Sequence, residues 1–300
     1  MDVDERLLRG SSPHRVHAGY WGAEQEGPAH VCVHGLGGSH LNWSLLGPLL
    51  AARGPVWAFD LAGFGRTPLG HRSSTLEANL ELLIAAIESV TDRPVILLGN
   101  SMGGHMALMV GARRPDLVDR LVLVNPAIPS AAGSLDPQVA KDFLLFLLPR
   151  VGERYMVARQ SRTTPEEQVA ALLGLVAAAP DQLDTEMVAA HAAMAAERRT
   201  MAHANPAFLA AARSLLRRLL LDRRAVWRDA RAVKAPTLLI HGAGDRLVPT
   251  RAMNRLAALR RDWAYRVYDD LGHVPMLEDP ERVYAHITDF LTTTHGLEAA

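Results

Sequence analysis

The chain has 300 residues, 49% of them apolar, and 32 Lys+Arg balance 32 Asp+Glu. The balance leaves no net attraction to nucleic acid or acidic lipid. The single cysteine, Cys32, excludes an internal disulfide framework and argues against a cysteine-built metal site.

The N-terminal Met1-Asp2-Val3-Asp4-Glu5 has neither the basic nor the apolar region of a secretory signal. The longest apolar stretch, 169–179, is broken by Gly174 and too short to cross a bilayer. The expectation is a cytoplasmic protein, monomer or homodimer, with no membrane or nucleic-acid partner.

In chain order, 15–21 reads as an early strand. Residues 29–33 form a short apolar run that enters His34-Gly35-Leu36-Gly37-Gly38, a buried strand meeting a glycine turn. Cys32 lies in it as a buried strand residue. A second such run, 55–59, ends at Asp60 and a glycine-bearing loop. Residues 74–90 have helical spacing, with Leu76, Leu80, Leu83, Ile84 and Ile87 on one face, Ser74 as N-cap and Glu77 three residues on. Then come a strand at 94–98, a helix at 102–113 and a strand at 121–124 ending in Asn125-Pro126.

The segment 127–233 is rich in Ala, Leu, Met and Arg and shows no strand. It reads as inserted helices, best at 142–148, 165–179 and 205–221, forming a lid over the strand ends. Strands follow at 236–240 and 263–268, and a closing helix at 280–291. The expected architecture is an α/β core at 1–126 and 234–300, a mostly parallel sheet covered by helices, with the helical lid between. Such sheets carry their chemistry at the C-terminal strand ends. Residues 215–221 alternate leucine with Arg217 and Arg218. The favoured reading is a lid helix packed on the core with exposed arginines, and an interfacial helix is the alternative.

The run Gly99-Asn100-Ser101-Met102-Gly103 joins a strand to a helix as G-x-S-x-G. A serine hydroxyl is a weak nucleophile unless held beside a base. A sharp strand-to-helix turn projects it above the sheet edge, and side chains at the flanking glycines would clash there. The helix that follows aims its first N–H groups at developing negative charge.

His273, in Leu271-Gly272-His273-Val274-Pro275, follows the last strand and suits the base. Asp245, on the glycine loop after 236–240, suits the acid that fixes the imidazole tautomer. Asp269, Asp270 and Glu278 read as turn and surface residues. Acyl transfer also needs oxyanion donors. The backbone N–H of Met102 is one candidate and that of Leu36 the other, with Gly37 as runner-up. His34 is expected to order its loop by hydrogen bonding. An apolar pocket is expected from Trp43, Phe143, Phe146 and Met276.

His34–Gly38, D-L-A-G-F-G-R-T from Asp60, G-N-S-M-G-G from Gly99, G-A-G-D-R-L-V-P from Gly242 and G-H-V-P-M-L-E-D-P-E from Gly272 together resemble the α/β-hydrolase superfamily, in its lidded, single-chain branch. The resemblance covers 15–125 and 234–291 and implies an eight-stranded sheet with one antiparallel strand. It also implies the triad Ser101, Asp245 and His273, in the chain order that the family uses. Relatives with an aspartate nucleophile, the epoxide hydrolases and haloalkane dehalogenases, differ from Ser101.

The expected activity is hydrolysis of a small-molecule carboxylic ester with an apolar part, through an acyl-enzyme, with no cofactor or metal. Activity would rise as the histidine loses its proton, at about pH 6–7 for an ordinary imidazole. One alternative is a carbon–carbon bond hydrolase of vinylogous diketones. G-N-S-M-G-G is similar to that branch, but Gly35-Leu36-Gly37-Gly38 lacks its usual glycine–proline–glycine. The other is a non-catalytic binding protein on the same scaffold.

Overall fold

A computed structural model of the chain describes residues 4–9, 15–22, 26–130 and 136–295. Residues 1–3, on which the N-terminal reading partly rests, lie outside the described residues.

Among the described residues eight strands form one sheet: β1 (Asp4–Arg9), β2 (Arg15–Trp21), β3 (His30–Val33), β4 (Val56–Phe59), β5 (Val95–Asn100), β6 (Val118–Val124), β7 (Thr237–Gly242) and β8 (Ala264–Tyr268). Their order across the sheet is β1-β2-β4-β3-β5-β6-β7-β8. β2 pairs antiparallel with both of its neighbours. All other pairings are parallel. The continuous aliphatic runs have a physical cause: β3, β4, β5 and β7 are buried along their whole lengths, because helices cover both faces. β1 is an addition to the strands expected from the sequence.

The core helices are α1 (Leu46–Leu50), α2 (Leu76–Val90), α3 (Met102–Arg113), α10 (Thr250–Leu259), α11 (Pro275–Glu278) and α12 (Pro280–His295). The expected Ser74 cap of α2 is corrected. Thr75 is the N-cap residue, and its side chain makes no capping bond. Ser74 Oγ instead donates to the Ala207 carbonyl at 2.8 Å, and Ser214 Oγ accepts from Leu76 N–H at 2.8 Å. A tertiary contact takes the place of a local cap.

Between β6 and β7 lie α4 (Pro137–Leu147), α5 (Val151–Arg162), α6 (Pro165–Val176), α7 (Thr185–Arg199), α8 (Ala204–Leu221) and α9 (Arg223–Ala232). Three of these, α5, α7 and α9, go beyond the expected helices. Residues 131–135 of the insertion lie outside the described set. α9 packs along α3 and so belongs to the flank of the sheet.

In α8, Leu215 and Leu216 are buried, and Arg218 is not the exposed arginine expected. It is 9% exposed and pairs with Asp222 at 2.9 Å and Asp229 at 2.5 Å. Among the described residues no helix is long and apolar enough to cross a membrane.

Candidate active site

The turn from β5 into α3 holds Ser101 at φ 55°, ψ −118°, a conformation that L-residues rarely adopt. Three backbone bonds fix it. Ser101 N–H donates to the Val124 carbonyl at 3.1 Å, and its own carbonyl accepts from the N–H groups of His105 and Ala127, both at 2.9 Å. The turn is tight enough that a Cβ on Gly103 would lie 2.3 Å from the Val33 carbonyl oxygen. The glycines of the motif are therefore steric requirements.

The loop after β3 comes close from the other side. A Cβ on Gly35 would stand 3.1 Å from the Ser101 Cβ, so glycine there lets Leu36 pass beside the serine. Among the described residues nothing accepts from Leu36 N–H, and Met102 N–H opens α3, where no intrahelical acceptor exists. Both expected oxyanion donors thus flank Ser101 with free N–H groups.

His34 anchors this loop. Its Nε2 accepts from Leu61 N–H at 3.1 Å, which leaves the proton on Nδ1 to donate to the Gly35 carbonyl at 2.7 Å. Burial pushes its pKa down to about 4. Its nitrogens are occupied and it stays neutral, which suits a structural role.

At the far side of the sheet edge, Asp245 and His273 meet. His273 Nδ1 lies 2.7 Å from Asp245 Oδ2, both side chains buried. Asp245 Oδ2 also accepts from Asn125 Nδ2 at 2.5 Å, and Oδ1 accepts from the N–H groups of Leu247 at 2.7 Å and Val248 at 3.0 Å. Burial alone would raise this carboxyl. The adjacent His273 and the donated hydrogen bonds outweigh it and hold the pKa below the ordinary carboxylate value. Asp245 is therefore a fully bonded anion beside the ring.

Two asparagines and a glutamate complete the frame. Asn125, at φ 45°, also donates to the Gly272 carbonyl at 3.1 Å and accepts from Gly242 N–H at 3.2 Å. It ties the ends of β6 and β7 to the His273 loop. Asn100 Nδ2 donates to the carbonyls of Val124, at 3.2 Å, and His273, at 3.0 Å.

Glu278, expected at the surface, is half-buried. It accepts from the N–H groups of Gly272 at 2.9 Å, Val274 at 3.3 Å and Ala178 at 2.7 Å. It fastens the His273 loop to the segment after α6, and His273 N–H itself donates to the Val176 carbonyl at 2.6 Å.

Ser101, His273 and Leu36 open onto one cavity of about 340 Å³ lined largely by apolar side chains from α4–α8. Phe143 and Phe146 line it as expected. Trp43 and Met276 do not: both have no solvent exposure and sit in the apolar layer with Val122, Ile240 and Ile287. The reason is local. α11 starts directly after the His273 loop and packs on the single turn His40–Trp43, which points both side chains into the core. The Met102 side chain is likewise core, so only its backbone could serve the site.

A second polar cluster lies apart from Ser101. Asp60 is buried between His17, 2.8 Å away, and His40, 3.1 Å away, and accepts from the N–H groups of His40 at 2.6 Å and Arg66 at 2.8 Å. Burial opposes its charge, but the two histidines hold its pKa far below the ordinary value. Donors already surround the carboxylate, so the cluster has the character of a structural anchor for the Asp60 loop.

Comparison with known proteins identifies the family. A sequence model of the alpha/beta hydrolase family matches residues 31–286. The chain is 32% identical over 262 residues to a pimeloyl-[acyl-carrier protein] methyl ester esterase of Aromatoleum aromaticum, covering 87% of this chain and 97% of that protein. It is 27% identical over 270 residues to a 2-hydroxy-6-oxo-6-(2'-aminophenyl)hexa-2,4-dienoic acid hydrolase of Metapseudomonas resinovorans, covering 89% and 79%. Among solved structures, a serine hydrolase of Cycloclasticus zankles superposes with a TM-score of 0.77 at 17% identity, over 98% of this chain and 99% of that one.

Proposed function

Since the chain belongs to the alpha/beta hydrolase family, we propose that it is a serine esterase acting on a small-molecule carboxylic ester with an apolar part. The observation that carries this reading is the buried Asp245–His273 pair at 2.7 Å, which opens onto the same cavity as the strained Ser101.

Ser101 Oγ attacks the ester carbonyl while His273 Nε2 takes its proton. Asp245 keeps the other ring proton on Nδ1 and stabilises the imidazolium. The N–H groups of Leu36 and Met102 receive the oxyanion. His273 then gives its proton to the departing alcohol, and water, deprotonated by the same ring, releases the acid from the acyl-enzyme. No step calls for a metal or cofactor. The helices α4–α8 act as a lid that selects the apolar part, with Phe143 and Phe146 in its wall. The reading is of a cytoplasmic enzyme.

The ester-cleaving relative, 32% identical over nearly its whole length, supports ester over other acyl substrates. The dienoic acid hydrolase relative supports carbon–carbon cleavage as a second reading on the same triad. Turnover of a p-nitrophenyl ester panel, lost by ~10⁴-fold or more in Ser101→Ala, is the expected result. Full activity in Ser101→Ala would end the proposal. Release of a dienoate chromophore, with no ester turnover, would favour the second reading.

A further inference from the structure

The cavity is apolar in most of its wall, yet guanidinium groups line it. Arg198 is occupied: it donates to the carbonyls of Gly63 at 2.8 Å and Gly65 at 3.2 Å and lies over the Phe64 ring. Among the described residues the one lining carboxylate of the insertion, Asp142, is taken by Gln138 at 3.0 Å and by the Tyr155 hydroxyl at 2.8 Å.

Arg159 and Arg199 are different. Both line the cavity half-buried, and among the described residues neither forms an ion pair. Arg199 reaches the end of α5, one turn beyond Arg159. The Thr163 hydroxyl donates to the Arg159 carbonyl at 2.9 Å and accepts from Arg199 Nη2 at 3.3 Å. Arg199 Nη2 also donates to the neutral Gln168 side chain at 3.1 Å, while its Nε is buried with no hydrogen-bond partner among the described residues. The exposed Glu166 feels the charge of Arg199 without pairing with it.

Two cations drawn partly out of water, one with an orphaned buried donor, leave a strong demand for an anion. Proteins seldom leave such a demand in a wall unless something arrives to meet it, and a planar guanidinium fork matches a carboxylate.

We infer that this corner binds a carboxylate on the substrate, at the end remote from the scissile bond. The enzyme's preferred esters are therefore monoanionic, with an apolar spacer between ester and carboxylate. The inference rests on the esterase reading for its kinetics, and on the corner alone for binding.

The test uses the full chain and two probe series of graded spacer length. One is monomethyl dicarboxylates, with the anion on the acyl side. The other is hexanoyl esters of ω-hydroxy acids, with the anion on the alcohol side. Each is paired with a neutral methyl-ketone isostere. The expected result is a preference in kcat/KM of about 10- to 100-fold for the anionic member at the matching length in one series, the size of a charge-assisted bond. The ratio should collapse toward one in Arg159→Gln and Arg199→Gln and return in part in Arg159→Lys, which restores charge without the fork. A purely structural role would lower both members together and leave the ratio intact.

Equal turnover of anionic and neutral esters, or a ratio that survives both substitutions, overturns the inference while the esterase reading stands. If no ester is turned over, calorimetry on Ser101→Ala still decides. Tighter binding of the monoanion than of its isostere supports the corner, and equal binding overturns it.

Discussion

Asn125 has no part in the bond-making steps, yet removing it should be among the most damaging changes near the site. Its side chain makes one bond to the charged Asp245 and two to backbone groups of neighbouring segments, all buried. A bond to a charged group contributes about 1.5–3 kcal/mol and a neutral one about 1 kcal/mol. Asn125→Gly keeps the positive φ and deletes all three, so it should lower the unfolding free energy by ~3.5–5 kcal/mol. Asn125→Ala adds the left-handed strain of a Cβ, about 1–2 kcal/mol more. Against a total of roughly 5–15 kcal/mol, either loss is large.

Activity should fall less steeply. Asp245 keeps its bonds from Leu247 and Val248, so the carboxylate stays near the ring but is less firmly aimed. A drop in kcat/KM of about 10- to 100-fold is expected, the usual effect of removing a residue that orients a site group. Losing the acid itself costs about 10⁴-fold. Urea unfolding followed by tryptophan fluorescence, with ester kinetics on the folded fraction, reads both. Wild-type stability and wild-type kcat/KM in Asn125→Gly would refute the reasoning.

Gly103→Ala should lose ~3 kcal/mol or more, or fail to accumulate, because its Cβ meets the backbone carbonyl oxygens of Val33 and His34 at 2.3 and 2.5 Å and neither can give way. Soluble yield and melting temperature check it. Glu278→Ala leaves three N–H groups without their acceptor and should cost about 2–3 kcal/mol, with a fall in kcat as the His273 loop loosens. Burial holds His30, His34, His105 and His241 neutral, with pKa values pushed down to about 4 from an ordinary 6.5. The unfolded chain therefore binds more protons than the fold between these values. Stability should be full above pH 6.5 and fall as pH drops toward about 4, by up to ~1.4 kcal/mol per unit for each histidine. Denaturant midpoints across that range that rise on acidification would contradict it.

Much of the sheet was legible in the sequence for a physical reason. Parallel strands buried on both faces read as unbroken aliphatic runs, and the expected strands from β3 onward lie within two or three residues of the observed ones. The Ser101 turn was legible because its glycines answer a steric need within a few residues. Position in chain order brought Asp245 and His273 into view.

What escaped had long-range causes. α5, Val-Gly-Glu-Arg-Tyr-Met-Val-Ala-Arg-Gln-Ser-Arg, has only Gly152 and Met156 buried, so no apolar stripe marks it. Trp43 and Met276 are apolar residues beside the motifs in the chain, but the packing of α11 on the His40–Trp43 turn buries them in the core. Asn125 acts on groups far along the chain, and Glu278 joins its own neighbouring loop to the distant Ala178. For Asn125 the available signal was an asparagine at the end of a buried strand, where a left-handed residue with hydrogen-bonding capacity is wanted.

The central claim is that Ser101 is a nucleophile activated by His273. A fluorophosphonate probe with mass-spectrometric mapping tests it most directly. The account predicts a single adduct on Ser101, absent in Ser101→Ala and formed far more slowly in His273→Ala. An adduct elsewhere, or labelling of Ser101 at the wild-type rate without His273, would contradict it.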